Sequence, residues 1–175
     1  MICIVDETNK IINITTAPYP IADNERTYYP WNQLWETYTD VEPFNFMKDR
    51  LYNSLGAEFA KRRDSVRFIN LPSGKRYGFD TASEDITNFM AAYTPLAIKG
   101  EDSTGYKVWK SETEKGLVIL TFVDMQAAYT YVRESQLSAY TWLASSQAKI
   151  NAVTEADGKE KLQAVYDGCI ATPTK

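Results

Sequence analysis

An α+β fold is predicted for this chain by three observations. Short β-branched runs recur between turn residues, as at Ile2–Val5 and Ile11–Thr15. Apolar residues at three- and four-residue spacing mark helices elsewhere, most clearly over 44–64 and from about 122 to 151. Composition suits a folded chain with a core of its own, at 175 residues, 44% apolar, 24% charged and 13% aromatic. The expected organisation is an N-terminal β-hairpin and irregular aromatic arm over 1–43. An α+β domain over 44–175 follows, with small antiparallel hairpins, helices and one long helix near the C-terminus.

The elements follow in order. Asp6-Glu7-Thr8-Asn9-Lys10 is a polar turn joining the first two strands into a hairpin. Pro18, Pro20, Pro30 and Pro43 then impose extended or turn structure, with room for one short helical turn over 32–36. Phe46, Met47, Leu51, Leu55 and Phe59 define an amphipathic helix, expected to break or kink near Gly56. Two alternating runs, 66–71 and 76–80, flank Pro72-Ser73-Gly74-Lys75 and predict a second hairpin. Thr81-Ala82-Ser83-Glu84 fits a capping box for a helix through Ile86, Phe89, Met90 and Tyr93, ending near Pro95 or somewhat beyond. A polar loop over 100–105 leads into a third hairpin, 106–110 and 117–120, around a charged turn.

Thr121, with Asp124 in the first turn, starts the longest helix, which would span ~45 Å at 1.5 Å per residue. Met125, Tyr129, Val132, Leu143 and Ile150 form a heptad-like stripe along it, with Gln136 and Ser146 in its gaps. That stripe faces either a second chain, as an oligomer helix face, or the helix's own domain. A final helix over 157–166 follows a Thr154 cap.

Composition excludes several function classes. No apolar run approaches the ~20 residues of a membrane-spanning helix, and the first residues show no signal-peptide pattern. Cys3 and Cys169 lie at opposite ends of the chain and read as free thiols in a reducing compartment. The histidine count is zero, which removes Ser-His-Asp triads, Cys-His dyads and every His-dependent metal site. Neither a metal nor a cofactor is expected.

The net charge of −4 is laid out in blocks. Residues 1–45 carry 7 acidic and 2 basic side chains, whereas 46–77 carry 8 basic and 3 acidic ones around Lys61-Arg62-Arg63. The basic block reads as a helix face that meets an acidic segment or partner. Nucleic acid is a poor fit to an acidic chain without recognition motifs.

Two clusters could carry chemistry. Asp80, Glu84 and Asp85 could serve as acid and base or hold a hard cation, but a first helical turn also favours such carboxylates. Ser-Gly-Lys-Arg-Tyr-Gly over 73–78 lacks P-loop spacing. Tyr28, Tyr29, Trp31, Trp35 and Tyr38 gather aromatic rings beside proline, as a cover for the hairpin, a dock for a protein partner or a carbohydrate-stacking platform.

Gly78-Phe79-Asp80-Thr81 at a hairpin end, then Trp109-Lys110, then Leu120-Thr121 before a long helix, carry a resemblance. Over roughly 57–166 the chain resembles the domain of unknown function numbered 4376, found in tailed-bacteriophage proteins, with tighter glycine spacing at 77–79. The resemblance implies a phage tail or tail-fibre setting and brings no catalytic residues. The expectation is therefore a non-enzymatic structural or interaction protein, located in the virion tail or in the host cytoplasm during assembly. Its expected partners are other tail or tail-fibre proteins and a second copy of the chain, with no membrane. The alternative is a carbohydrate-binding adhesin subunit that uses the 28–38 aromatic cluster.

Overall fold

The computed structural model describes residues 1–16 and 22–171. Pro18 and Pro20 lie outside them. The fold is α+β, with two antiparallel sheets and four α-helices among the described residues.

The N-terminal hairpin forms as predicted. β1 (Ile2–Val5) pairs with β2 (Ile11–Thr15), with a register shift between Ile4 and Val5. A third strand, β3 (Glu25–Thr27), pairs with the other edge of β1 and gives the order β2-β1-β3. Its three residues, Glu-Arg-Thr, carry no alternation that sequence reasoning could use. Cys3, Val5 and Ile11 close a small core beneath this sheet.

α1 (Phe44–Arg63) begins directly after Pro43 and buries Phe44, Met47, Leu51 and Leu55. It runs through Gly56 without the expected interruption. Gly56 faces open space, and the buried leucines on its amino-terminal side hold the helix in place. β4 (Arg67–Asn70) and β5 (Arg76–Phe79) form the second hairpin, with Gly74 at φ +79° in its turn. β6 (Ser103–Trp109) and β7 (Lys115–Thr121) form the third and complete a sheet of order β4-β5-β6-β7. Part of the expected 100–105 loop is thus strand, because Ser103, Thr104 and Gly105 pair with Thr121, Leu120 and Ile119.

α2 (Ser83–Lys99) corrects the capping-box expectation. Its N-cap is Ala82, which makes no side-chain cap. The Thr81 hydroxyl turns inward instead and reaches the carbonyls of Arg63 and Ser65 at the end of α1. Pro95 sits inside α2, which continues to a left-handed Gly100. α3 (Phe122–Ala152) starts as predicted, with Thr121 Oγ1 accepting from the Asp124 amide at 3.2 Å. Thr154 and Asp157 cap each other reciprocally in a short 3₁₀ turn, and α4 (Gly158–Ala171) follows, five residues past the expected end.

Two larger cores share α3. The inner face of the four-stranded sheet, α2 and the first half of α3 enclose Phe79, Phe89, Val108, Leu120 and Met125. The second half of α3 packs with α1 and α4 around Leu51, Leu55, Ile150 and Leu162. The length of α3, excessive for one core, is explained by its service to two.

Candidate functional site

The aromatic segment is an irregular loop, and the structure separates its five rings. Tyr28 and Tyr38 pack against the N-terminal core, and the Tyr38 hydroxyl donates to the Thr27 carbonyl at 3.0 Å. Burial raises the Tyr38 pKa above the ordinary tyrosine value. Tyr29 stacks on Trp31 with ring centroids 4.9 Å apart, and Trp31 meets Phe46 of α1 edge-on at 5.5 Å. Trp31 Nε1 and Asn32 Nδ2 both donate to the Thr39 carbonyl at 3.1 Å, while Asn32 Oδ1 accepts from the Thr39 amide. These four rings build the loop and seat it. In place of the short helical turn for which the sequence left room over 32–36, there is one non-helical turn at 34–35.

Trp35 is the exception. Its side chain is 65% exposed, and its backbone lies at φ +71°, a region that a bulky residue rarely adopts. The surrounding hydrogen bonds hold it there. The Trp35 amide donates to the Ile11 carbonyl at 2.7 Å, and the Ile11 amide donates to the Glu36 carbonyl at 2.8 Å. Asn9, also at positive φ, accepts from the Tyr38 amide and returns a side-chain bond to the Tyr38 carbonyl. Lys10 Nζ lies 5.9 Å from the indole centroid, and Leu34 beside it is also exposed. Trp35 thus combines a strained backbone with a large apolar ring presented to solvent, a pairing that clusters at functional sites. Sequence reasoning placed Trp35 in the cluster but had no signal for its backbone conformation.

The carboxylate cluster is engaged in structure. Asp80 accepts from Trp109 Nε1 at 2.8 Å and from Lys115 Nζ at 2.5 Å, tying β5 to the β6–β7 hairpin. Glu84 is exposed. Burial first, and then the neighbouring Asp80, raise the Asp85 carboxyl above its ordinary value. Burial likewise pushes Tyr106 up to about 12, helped by Asp85 and Asp80. Among the described residues no three His, Cys, Asp or Glu side chains are placed to hold a metal ion.

The basic block is largely consumed within the fold. The Arg62 guanidinium lies 4.1 Å from the Trp142 ring centroid, pairs with Glu58 at 3.0 Å and donates to the Ile170 carbonyl at 2.8 Å. Arg63 pairs with Asp64, Arg67 donates to the Arg62 carbonyl, and Arg76 lies over Phe68.

The α3 stripe corrects the oligomer-face expectation. Met125, Val132 and Ile150 are buried, Tyr129 packs against the first core and Leu143 against the second. Its polar members fit the same account, since Ser146 is buried and Gln136 donates to the Thr81 carbonyl at 2.9 Å. The stripe is therefore filled within the chain. Exposed apolar side chains lie off the stripe, at Val123 and Leu137 of α3 and at Leu117 and Ile119 on the outer face of β7.

In comparisons with protein-family models, curated proteins and solved structures, the chain matches none. No helix among the described residues is long and apolar enough to cross a membrane.

Proposed function

We propose that this chain is a non-enzymatic interaction protein of a tailed-bacteriophage tail or tail-fibre module, docking another tail protein through Trp35. The observation that carries the docking reading is the outward Trp35 side chain on its left-handed backbone. A bulky residue at positive φ costs about 1–3 kcal/mol, a cost expected where the side chain is used. Exposed Trp is also the residue type most enriched at the energetic centre of protein interfaces. Asp80 and Lys115 are engaged with each other, which supports a structural role for that carboxylate group. The phage setting rests on the motif resemblance over 57–166.

The test is to count this chain by quantitative mass spectrometry in purified particles of the phage that encodes it, alongside binding to that phage's tail and fibre proteins. A fixed copy number per particle identifies a tail component. Expression during infection, binding to a fibre subunit and absence from the particle identify an assembly factor. Absence from the particle, together with no binding that falls with Trp35→Ala, would overturn the proposal. A Trp35-dependent fluorescence response to host glycans would replace it with the adhesin reading.

A further inference from the structure

The four-stranded sheet ends on an edge that lacks the usual protection. β7 is seven residues long, pairs with β6 in unbroken register, and contains no proline or bulge. Natural edges of this length are blunted by such devices or covered by another element. Among the described residues no strand lies beyond β7.

The direction of its backbone groups follows from two hydrogen bonds that flank the hairpin. The Phe122 amide donates to the Asp102 carbonyl, and the Lys110 amide donates to the Glu114 carbonyl. Bonded pairs alternate in an antiparallel ladder, so Leu120, Val118 and Gly116 spend their backbone groups on β6. Lys115, Leu117 and Ile119 therefore direct N–H and C=O away from it. The side chains of Leu117 and Ile119, 70% and 66% exposed, stand on the sheet face opposite the core. They lean over Gly105 of β6, where an added Cβ would lie 3.5 Å from Leu117 Cδ1 and 3.9 Å from Ile119 Cδ1.

We infer that β7 pairs with β7 of a second copy, antiparallel about a two-fold axis at Val118, making one continuous eight-stranded sheet. The strand is self-complementary in that register. Leu117 falls opposite Ile119 of the second copy, and Ile119 opposite its Leu117, so four exposed aliphatic side chains close into one apolar patch. These residues are also the ones whose outward N–H and C=O groups need partners, and the register makes them hydrogen-bonded pairs. Charge agrees. The only charged residue of the strand, Lys115, meets neutral Thr121, and no like charges face each other. A slip of two residues either puts Lys115 opposite Ile119 or leaves it beyond the strand. This inference stands on β7 and is independent of Trp35.

Sedimentation equilibrium of the full chain at micromolar concentration should give twice the 19.9 kDa chain mass. Ile119→Lys, on an exposed side chain, should give a monomer with unchanged circular dichroism. Val118→Cys should cross-link to itself on mild oxidation, because the two Val118 Cα atoms meet at the axis within disulfide reach. Native Cys3 and Cys169 are buried and should not contribute. Leu117→Cys, opposite Ile119 rather than itself, should stay un-cross-linked. A monomeric wild-type chain overturns the inference, as does a dimer that survives Ile119→Lys. Self-cross-linking at Leu117 in place of Val118 overturns the register.

Discussion

Arg62 shows how one side chain can serve three helices. It is 7% exposed, and its charge is met by Glu58, the Ile170 carbonyl and the face of Trp142. The stem fills space between α1, α3 and α4 while the planar head satisfies acceptors from two directions. Arg62→Ala is expected to cost about 2–4 kcal/mol, less than a fully enclosed ion pair would because Glu58 retains some solvent. Arg62→Lys should lose a smaller part, since it keeps the charge without the flat stacking surface. Urea denaturation measures both. The charge block was legible as residue types, but its use was not: Ile170 lies 108 residues away in sequence. Tyr106 makes a pH prediction. Its folded pKa is raised from 10.0 to about 12, so the fold favours the protonated phenol. That contribution is fully present below pH 10 and is lost as the pH rises towards 12. Wild-type stability should therefore fall more steeply than that of Tyr106→Phe across this window, read as the difference in urea midpoint.

Among the elements, the helix starts separate what local sequence decides from what it does not. The Thr121 cap was readable because donor and acceptor are three residues apart. The spacing from Thr81 to Glu84 made an equally good local pattern and misled, since the ends of α1 and α2 meet and Thr81 supplies the hydroxyl between them. Two carbonyls of a packed junction outrank one exposed helix cap. Thr81→Val should destabilise by about 1–3 kcal/mol, the penalty for leaving buried acceptors unmet, whereas a lost exposed cap would cost about 1 kcal/mol. Thermal melts with Thr121→Ala as the reference cap variant would separate the two. Gly56 gives the opposite sign. It lies in helical conformation with open space where a Cβ would go, so Gly56→Ala should stabilise by about 0.5–1 kcal/mol. A raised denaturant midpoint with unchanged slope is the expected result.

Across the whole molecule, the division expected near residue 43 makes a prediction of its own. Cys3, Val5 and Ile11 pack with their own sheet, and Trp31 against Phe46 is a ring contact that reaches from the loop to α1. A chain beginning at residue 44 should keep the helical circular dichroism of the full protein and unfold cooperatively. A loss of that signal would show that the N-terminal sheet is needed to hold α1. The α+β class was legible because hairpin turns and helix periodicity are local. The sharing of α3 was not, since a stripe of apolar residues reads the same whether it meets one core, two cores or another chain. Thr121 is both the last residue of β7 and the cap of the 31-residue α3. Edge strand and helix thus follow each other without a loop, the helical part ~46 Å long at 1.5 Å per residue. A pull on β7 therefore reaches α3 through a single peptide bond, and Asp124, which accepts from the Ser73 amide at 3.0 Å, shares it with the β4–β5 turn. In an assembly that must bear force, the junction at Thr121 is where this chain would be pulled hardest.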